Sequence, residues 1–209
     1  FMILALGLVA CNNAHHAELS ENYSKKELAL YDNMPADGVL GQLDFAGTTS
    51  PILDAQSLSA PIALTHIGDH LFIADLGNQR VTGYAVNAEG NPSDTASLVL
   101  LQENANQSNF AGIDSDLRIT PYKLASDPMS RLYVAGLDSG QRWRVFVFDN
   151  PFTNDTAPEY ELLDLPEEIG AFGSINSDIF IVIGGPDSSS ETIHFYATGH
   201  LDAPPLRQA

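Results

Sequence analysis

The strongest constraint on this chain is a recurrence at a spacing near sixty residues. Pro61-Ile62-Ala63-Leu64, followed by Leu71-Phe72-Ile73-Ala74-Asp75-Leu76-Gly77-Asn78-Gln79-Arg80-Val81, is answered by Pro121-Tyr122-Lys123-Leu124, then Leu132-Tyr133-Val134-Ala135-Gly136 and Arg144-Val145-Phe146. The leading prolines lie 60 residues apart, and Val39-Leu40 with Gln42 returns as Val99-Leu100 with Gln102 at the same offset. A fixed period of this size means stacked supersecondary units, because one unit cannot bury its own apolar face.

From residue 38 onward the pattern is one of short β-branched and aromatic runs separated by Gly, Asn, Asp, Ser and Pro clusters, which reads as many short strands. No helical period of any length competes with it. The expected outer strands are 39–43, 97–102 and 160–163, and the inner strands 62–66, 122–126 and 171–174. Middle strands are expected at 70–74, 131–135 and 178–183, and third strands at 81–86, 144–149 and 192–197, making twelve in all.

The stretch 61–81 resembles an NHL repeat, a β-propeller blade, and Gly41-Gln42-Leu43-Asp44-Phe45 is similar to a turn that recurs in bacterial NHL proteins. The resemblance is good for one unit, fair for the second and weak for the third. It implies an all-β fold: a β-propeller of four-stranded blades, with about three blades in this chain. Closed propellers need typically 4–8, so the chain is expected to be a fragment of a larger closed ring. The tail Leu201-Asp202-Ala203-Pro204-Pro205 is similar to Leu58-Ser59-Ala60-Pro61 and is expected to begin a fourth blade. The chain enters on an outer strand, an offset that in propellers lets the N-terminal strand complete the last blade.

Three segments follow: 1–11, the remnant of a signal peptide; 12–37, a polar tether; and 38–209, the incomplete propeller. Phe1 to Ala10 is an uncharged apolar run, too short to span a bilayer as a helix but matching the h-region of a signal peptide. Leu8-Val9-Ala10-Cys11 resembles a bacterial lipobox, which implies lipidation at Cys11, the chain's only cysteine. Each acyl chain contributes about 0.8 kcal/mol per buried CH₂, so two or three hold firmly. The chain opens on Phe1 and has no Lys or Arg before Lys25, so its true beginning is expected upstream. Asn12, where an Asp would signal inner-membrane retention, favours the outer membrane in a Gram-negative cell. His15-His16 reads as solvated tether.

Lys and Arg number 9 against 27 Asp and Glu, a net charge of −18. Such a surface repels phosphate backbones, which argues against nucleic acid as a partner, and keeps a secreted protein soluble. The single cysteine excludes an intrachain disulfide.

In the turn 75–81, Asp75 can accept backbone N–H bonds, Gly77 and Asn78 tolerate positive φ, and Arg80 can reach an acidic or carbonyl partner. These are structural tasks, and in the resembled family this motif maintains the blade, so no catalytic residue is assigned. In the second unit Gly136 replaces the Asp, and 138–143 forms a longer turn. Trp143, Phe146, Phe148 and Tyr133, at strand spacing, read as core rather than as a binding platform. Asp114-Ser115-Asp116 with Asp69 or Asp127 lacks the spacing of a calcium loop.

Two functional readings stay open. The first is a lipid-anchored cell-envelope protein whose propeller presents the long loops 44–60 and 102–120 to a protein or glycan, with no cofactor. The second is a propeller hydrolase or lyase, lactonase-like or amidating-lyase-like, holding Ca²⁺ or Zn²⁺ in a central channel. Its site would be completed by blades absent from this chain, and His66 is the weak candidate ligand among the inner strands.

Overall fold

The computed structural model describes residues 38–42, 53–106, 118–150, 152–154, 158, 160–165, 168–175, 178–184, 192–197 and 207–208. The signal, the tether with Cys11 and His15-His16, and Asp114 to Asp116 lie outside them. The described residues are all-β, forming twelve strands and one short 3₁₀ turn at Leu76–Asn78.

The strands form three four-stranded antiparallel meanders. Sheet 1 holds β1 (Pro61–Ile67), β2 (His70–Asp75), β3 (Arg80–Ala85) and β4 (Leu98–Leu100). Sheet 2 holds β5 (Thr120–Ser126), β6 (Leu132–Leu137), β7 (Trp143–Phe148) and β8 (Tyr160–Leu165). Sheet 3 holds β9 (Glu168–Ile175), β10 (Asp178–Gly184), β11 (Thr192–Ala197) and β12 (Arg207–Gln208). Among the described residues no sheet closes on itself.

Strand alternation assigns each side chain to a face. In sheet 1, Phe72, Ala74, Val81 and Leu98 meet Leu124, Leu132, Val134, Phe146 and Phe148 of sheet 2 in one core. The alternate residues of sheet 2, Ala125, Tyr133, Ala135, Trp143, Val145 and Val147, form a second core with Ile169 of sheet 3. Sheet 2 is therefore covered on both faces, and every residue of Trp143–Phe148 is buried. Each such large side chain contributes about 1.5–3 kcal/mol on burial. The four aromatics divide between two cores: Phe146 and Phe148 toward sheet 1, Tyr133 and Trp143 toward sheet 3.

Neighbouring sheets also touch along their first strands. Thr65 Oγ1 donates to Ser126 Oγ at 3.1 Å, and Ser174 Oγ donates to the Ser126 carbonyl.

One expectation fails. Of the expected outer strand 39–43, the described residues make only a single parallel bridge, Gly41 to Ser57, and no strand; Leu43 lies outside the described residues. Leu201 to Pro205, expected to begin a fourth blade, also lie outside them; Arg207–Gln208 pairs antiparallel with β11 as the fourth strand of sheet 3. The outer strand expected at 97–102 is shorter, because Leu101 turns left-handed at φ 68° and ends the ladder after Leu100.

Candidate functional site

The turn between β2 and β3 is held by a dense set of polar contacts. Asp75 and Arg80 face each other across the last rung of the hairpin and are both fully buried. Arg80 Nε donates to Asp75 Oδ2 at 2.8 Å, and Asn78 Nδ2 donates to the same oxygen at 2.8 Å. The Ser59 amide donates to Asp75 Oδ1 at 2.6 Å. Both carboxylate oxygens are thus engaged inside the fold, which suits a pinning role and leaves no exposed base.

Arg80 uses its remaining donors on main-chain oxygens. Nη1 reaches the Ala105 carbonyl at 2.6 Å, and Nη2 reaches the carbonyls of Asp54 and Ser57 at 2.9 and 2.7 Å. These carbonyls belong to the two long loops, 44–60 and 102–120. Gln102 Nε2 adds a bond to the Asn78 carbonyl, Gln79 Nε2 reaches Thr120 Oγ1 at 3.4 Å, and the Gly77 amide donates to the Ser59 carbonyl at 2.7 Å. A side chain on Gly77 would collide with Ser59, so glycine is required there by close approach. The described parts of both loops are held at one end of sheet 1.

The second unit solves its turn differently. Gly136 pairs with Pro121 and Arg144, as Asp75 pairs with Pro61 and Arg80, so it occupies the position of the aspartate. A Cβ there would run into the Thr120 carbonyl. The strand continues to Leu137, and Asp138 follows it; its Oδ1 accepts the amides of Gly140 and Arg142 and its Oδ2 accepts Arg142 Nη2 at 2.8 Å. These bonds hold the Asp138 carboxyl below its ordinary value, the Arg142 amide foremost.

At the opposite end of sheet 2, Asp127 repeats the arrangement. Its Oδ1 accepts the amides of Met129 and Arg131, and its Oδ2 accepts Arg131 Nε at 2.7 Å and Tyr133 Oη at 2.9 Å. Burial, then the bond to Asp127, pushes the Tyr133 phenol far up; burial likewise raises Tyr84. Asp127 is therefore committed to its own turn. Asp69, the other carboxylate considered with 114–116, is exposed and pairs with His70 Nδ1 at 2.7 Å.

His66 is exposed on β1. Among the described residues no three His, Cys, Asp or Glu side chains come together as a metal-holding group. The structure thus brings Asp75, Gly77, Asn78 and Arg80 together and leaves His66 apart. Sequence reasoning missed the tasks of Ser59 and Gln102 and the Asp127–Arg131 and Asp138–Arg142 locks; the shared D-x-x-x-R spacing at two turns was the available signal. No protein-family model matches the chain, and no curated protein matches it.

Proposed function

We propose that this is a lipid-anchored cell-envelope protein, acylated at Cys11, whose NHL-like sheets are blades of a β-propeller that binds a protein or glycan through the loops 44–60 and 102–120. The observation that carries the reading is Arg80, which ties both loops by their backbone to one end of the sheets. A rigid scaffold with loops fixed at one end is the usual architecture of a binding face. The propeller part draws support from consecutive four-stranded meanders, from a middle sheet buried on both faces, and from first strands that touch. Lipid-anchoring rests on the lipobox-like Leu8-Val9-Ala10-Cys11.

Two experiments test it. Metabolic labelling of the full-length protein with an alkyne palmitate should tag the wild type and not Cys11→Ser; a tag that survives the substitution removes the anchor. A photo-crosslinking residue at exposed Gln56, in the loop held by Arg80, should capture an envelope protein or glycan, whereas one at exposed Glu89, which follows β3 beyond the end opposite the Asp75–Arg80 rung, should not. Equal capture at both positions, or at neither, refutes the loop face.

A further inference from the structure

β4 ends sheet 1, and among the described residues no strand pairs with its outer side. An edge strand offers backbone donors and acceptors to any strand that approaches, a second copy of the same chain included. The sequence here favours that approach. Between Asp94 and Glu103 the chain runs through Ala96-Ser97-Leu98-Val99-Leu100-Leu101 without a charge, a glycine or a proline. Short uncharged runs of high strand propensity are the segments that self-associate when an edge is bare.

This edge is covered at one point. Leu98, Val99 and Leu100 face Gly83, Thr82 and Val81 of β3, and alternate residues of an antiparallel ladder turn their backbone groups inward and outward. Val99 is the outward one: its amide donates to Asn154 Oδ1 at 2.8 Å, although Asn154 belongs to the connection between β7 and β8 of sheet 2. Two residues earlier, Phe152 meets Phe72 of β2 edge-on, with ring centroids 4.8 Å apart, and packs against the core between sheets 1 and 2. Phe152 thus anchors the segment on sheet 1, and the Asn154 carboxamide lies on the outer side of β4.

We propose that residues 152–154 are an edge guard, a cap lent by sheet 2 that keeps β4 from pairing with β4 of a second copy of this chain. A further strand must come within about 4.8 Å of β4 to pair with it, and the Asn154 carboxamide takes that space. With the guard displaced, Val99 of one copy opposite Val99 of another exchanges two backbone hydrogen bonds about a two-fold axis, the self-complementary arrangement of a closed dimer. The inference stands on the geometry of sheets 1 and 2 and is independent of the proposed anchor and ligand.

Two measurements on the full chain test it, with Cys11→Ser throughout so that no acyl chain drives association. Hydrogen exchange of the Val99 amide in dilute protein should accelerate about fivefold in Asn154→Ala, the worth of one net hydrogen bond, and keep the reference rate in Asn154→Asp, which retains the acceptor. Sedimentation at rising concentration should show the double variant Phe152→Ala/Asn154→Ala, which lacks both anchor and cap, shifting toward twice the reference mass. Adding Val99→Pro should restore the reference mass, because proline has no N–H to offer an incoming strand. Unchanged Val99 exchange in Asn154→Ala overturns the guard. So does a double variant that keeps the reference mass at every concentration, or one whose association survives Val99→Pro. Should the double variant fail to fold, sedimentation of Asn154→Ala, altered only at an exposed residue, decides in its place.

Discussion

Replacing Arg80 with Met keeps the aliphatic stem and removes the guanidinium, which separates charge and hydrogen bonding from packing. The variant leaves Asp75 fully buried without its cation. Removing one partner of a buried ion pair costs about 3–5 kcal/mol, because the remaining charge stays desolvated. Three carbonyls, Asp54, Ser57 and Ala105, also lose their donor, but they lie in loops that can open to water, so little is added. In a chain of this size each kcal/mol shifts Tm by roughly 2–4 °C, so the loss is on the order of 10 °C. Urea unfolding of Arg80→Met, Asp75→Leu and the double variant measures it. The double variant should be less destabilised than the sum of the singles, since no buried charge is left alone. Hydrogen exchange at 53–60 and 101–106 should remain fast in the double variant, because the carbonyl latch is still missing. A loss under about 1 kcal/mol for Arg80→Met, with both loops as protected as in the wild type, would refute the latch.

Three further outcomes follow from the turns and the buried phenols. The Asp138 carboxyl is depressed in the folded state, so its stabilisation is present above the unfolded value, about 3.9, and is lost as pH falls through the folded value; the stability gap between wild type and Asp138→Asn should close in acid, and a gap constant down to acid unfolding contradicts the assignment. Gly136→Ala pushes a methyl into the Thr120 carbonyl and should cost about 1–3 kcal/mol in urea unfolding, whereas a neutral result means that β5 and β6 can separate freely. Tyr84 and Tyr133 are both raised, so the neutral form is favoured in the folded state and stability declines as pH rises above about 10; in an ultraviolet titration these two should ionise only with unfolding, and Tyr133→Phe should remove one late-titrating group.

Strand positions were largely legible because the period of two is written in the side chains. In β7 every residue is buried, yet Val145 and Val147 go to one core and Phe146 and Phe148 to the other, and the run of β-branched and aromatic residues announces a strand covered on both sides. Arg80 was legible as an arginine seeking an acid or carbonyl; which carbonyls it takes was not, because main-chain oxygens leave no mark on the sequence. Asp127 and Asp138 were visible as turn aspartates, but one was weighed as a cation ligand because the arginine four residues on was not read with it. β12 was illegible for a different reason: a two-residue strand of Arg and Gln carries no alternation, and its place is fixed by the edge of β11. The outer strands expected at 97–102 and 160–163 were readable in place but not in extent, since a left-handed residue such as Leu101 is unexpected for a γ-branched side chain, and the one expected at 39–43 forms no strand at its described residues.

The manner in which Arg80 holds the loops bears on what those loops can do. Asp127 and Asp138 each close a turn by accepting from the arginine four residues on and from nearby amides, and Asp127 also accepts from Tyr133. Arg80 instead reaches across 23 to 26 residues of chain, and beyond Asp75 the oxygens it grips there are main-chain carbonyls. Every residue type carries such an oxygen, so the bonds themselves do not depend on the side chains at 54, 57 and 105. Beside these anchor points Gln56, Glu103 and Asn104 are exposed. A loop whose backbone is fixed loses little conformational entropy when a partner arrives. That long reach is what distinguishes this end of sheet 1 from the Asp127 and Asp138 turns of sheet 2, and it is the physical ground on which the proposed binding face is put there.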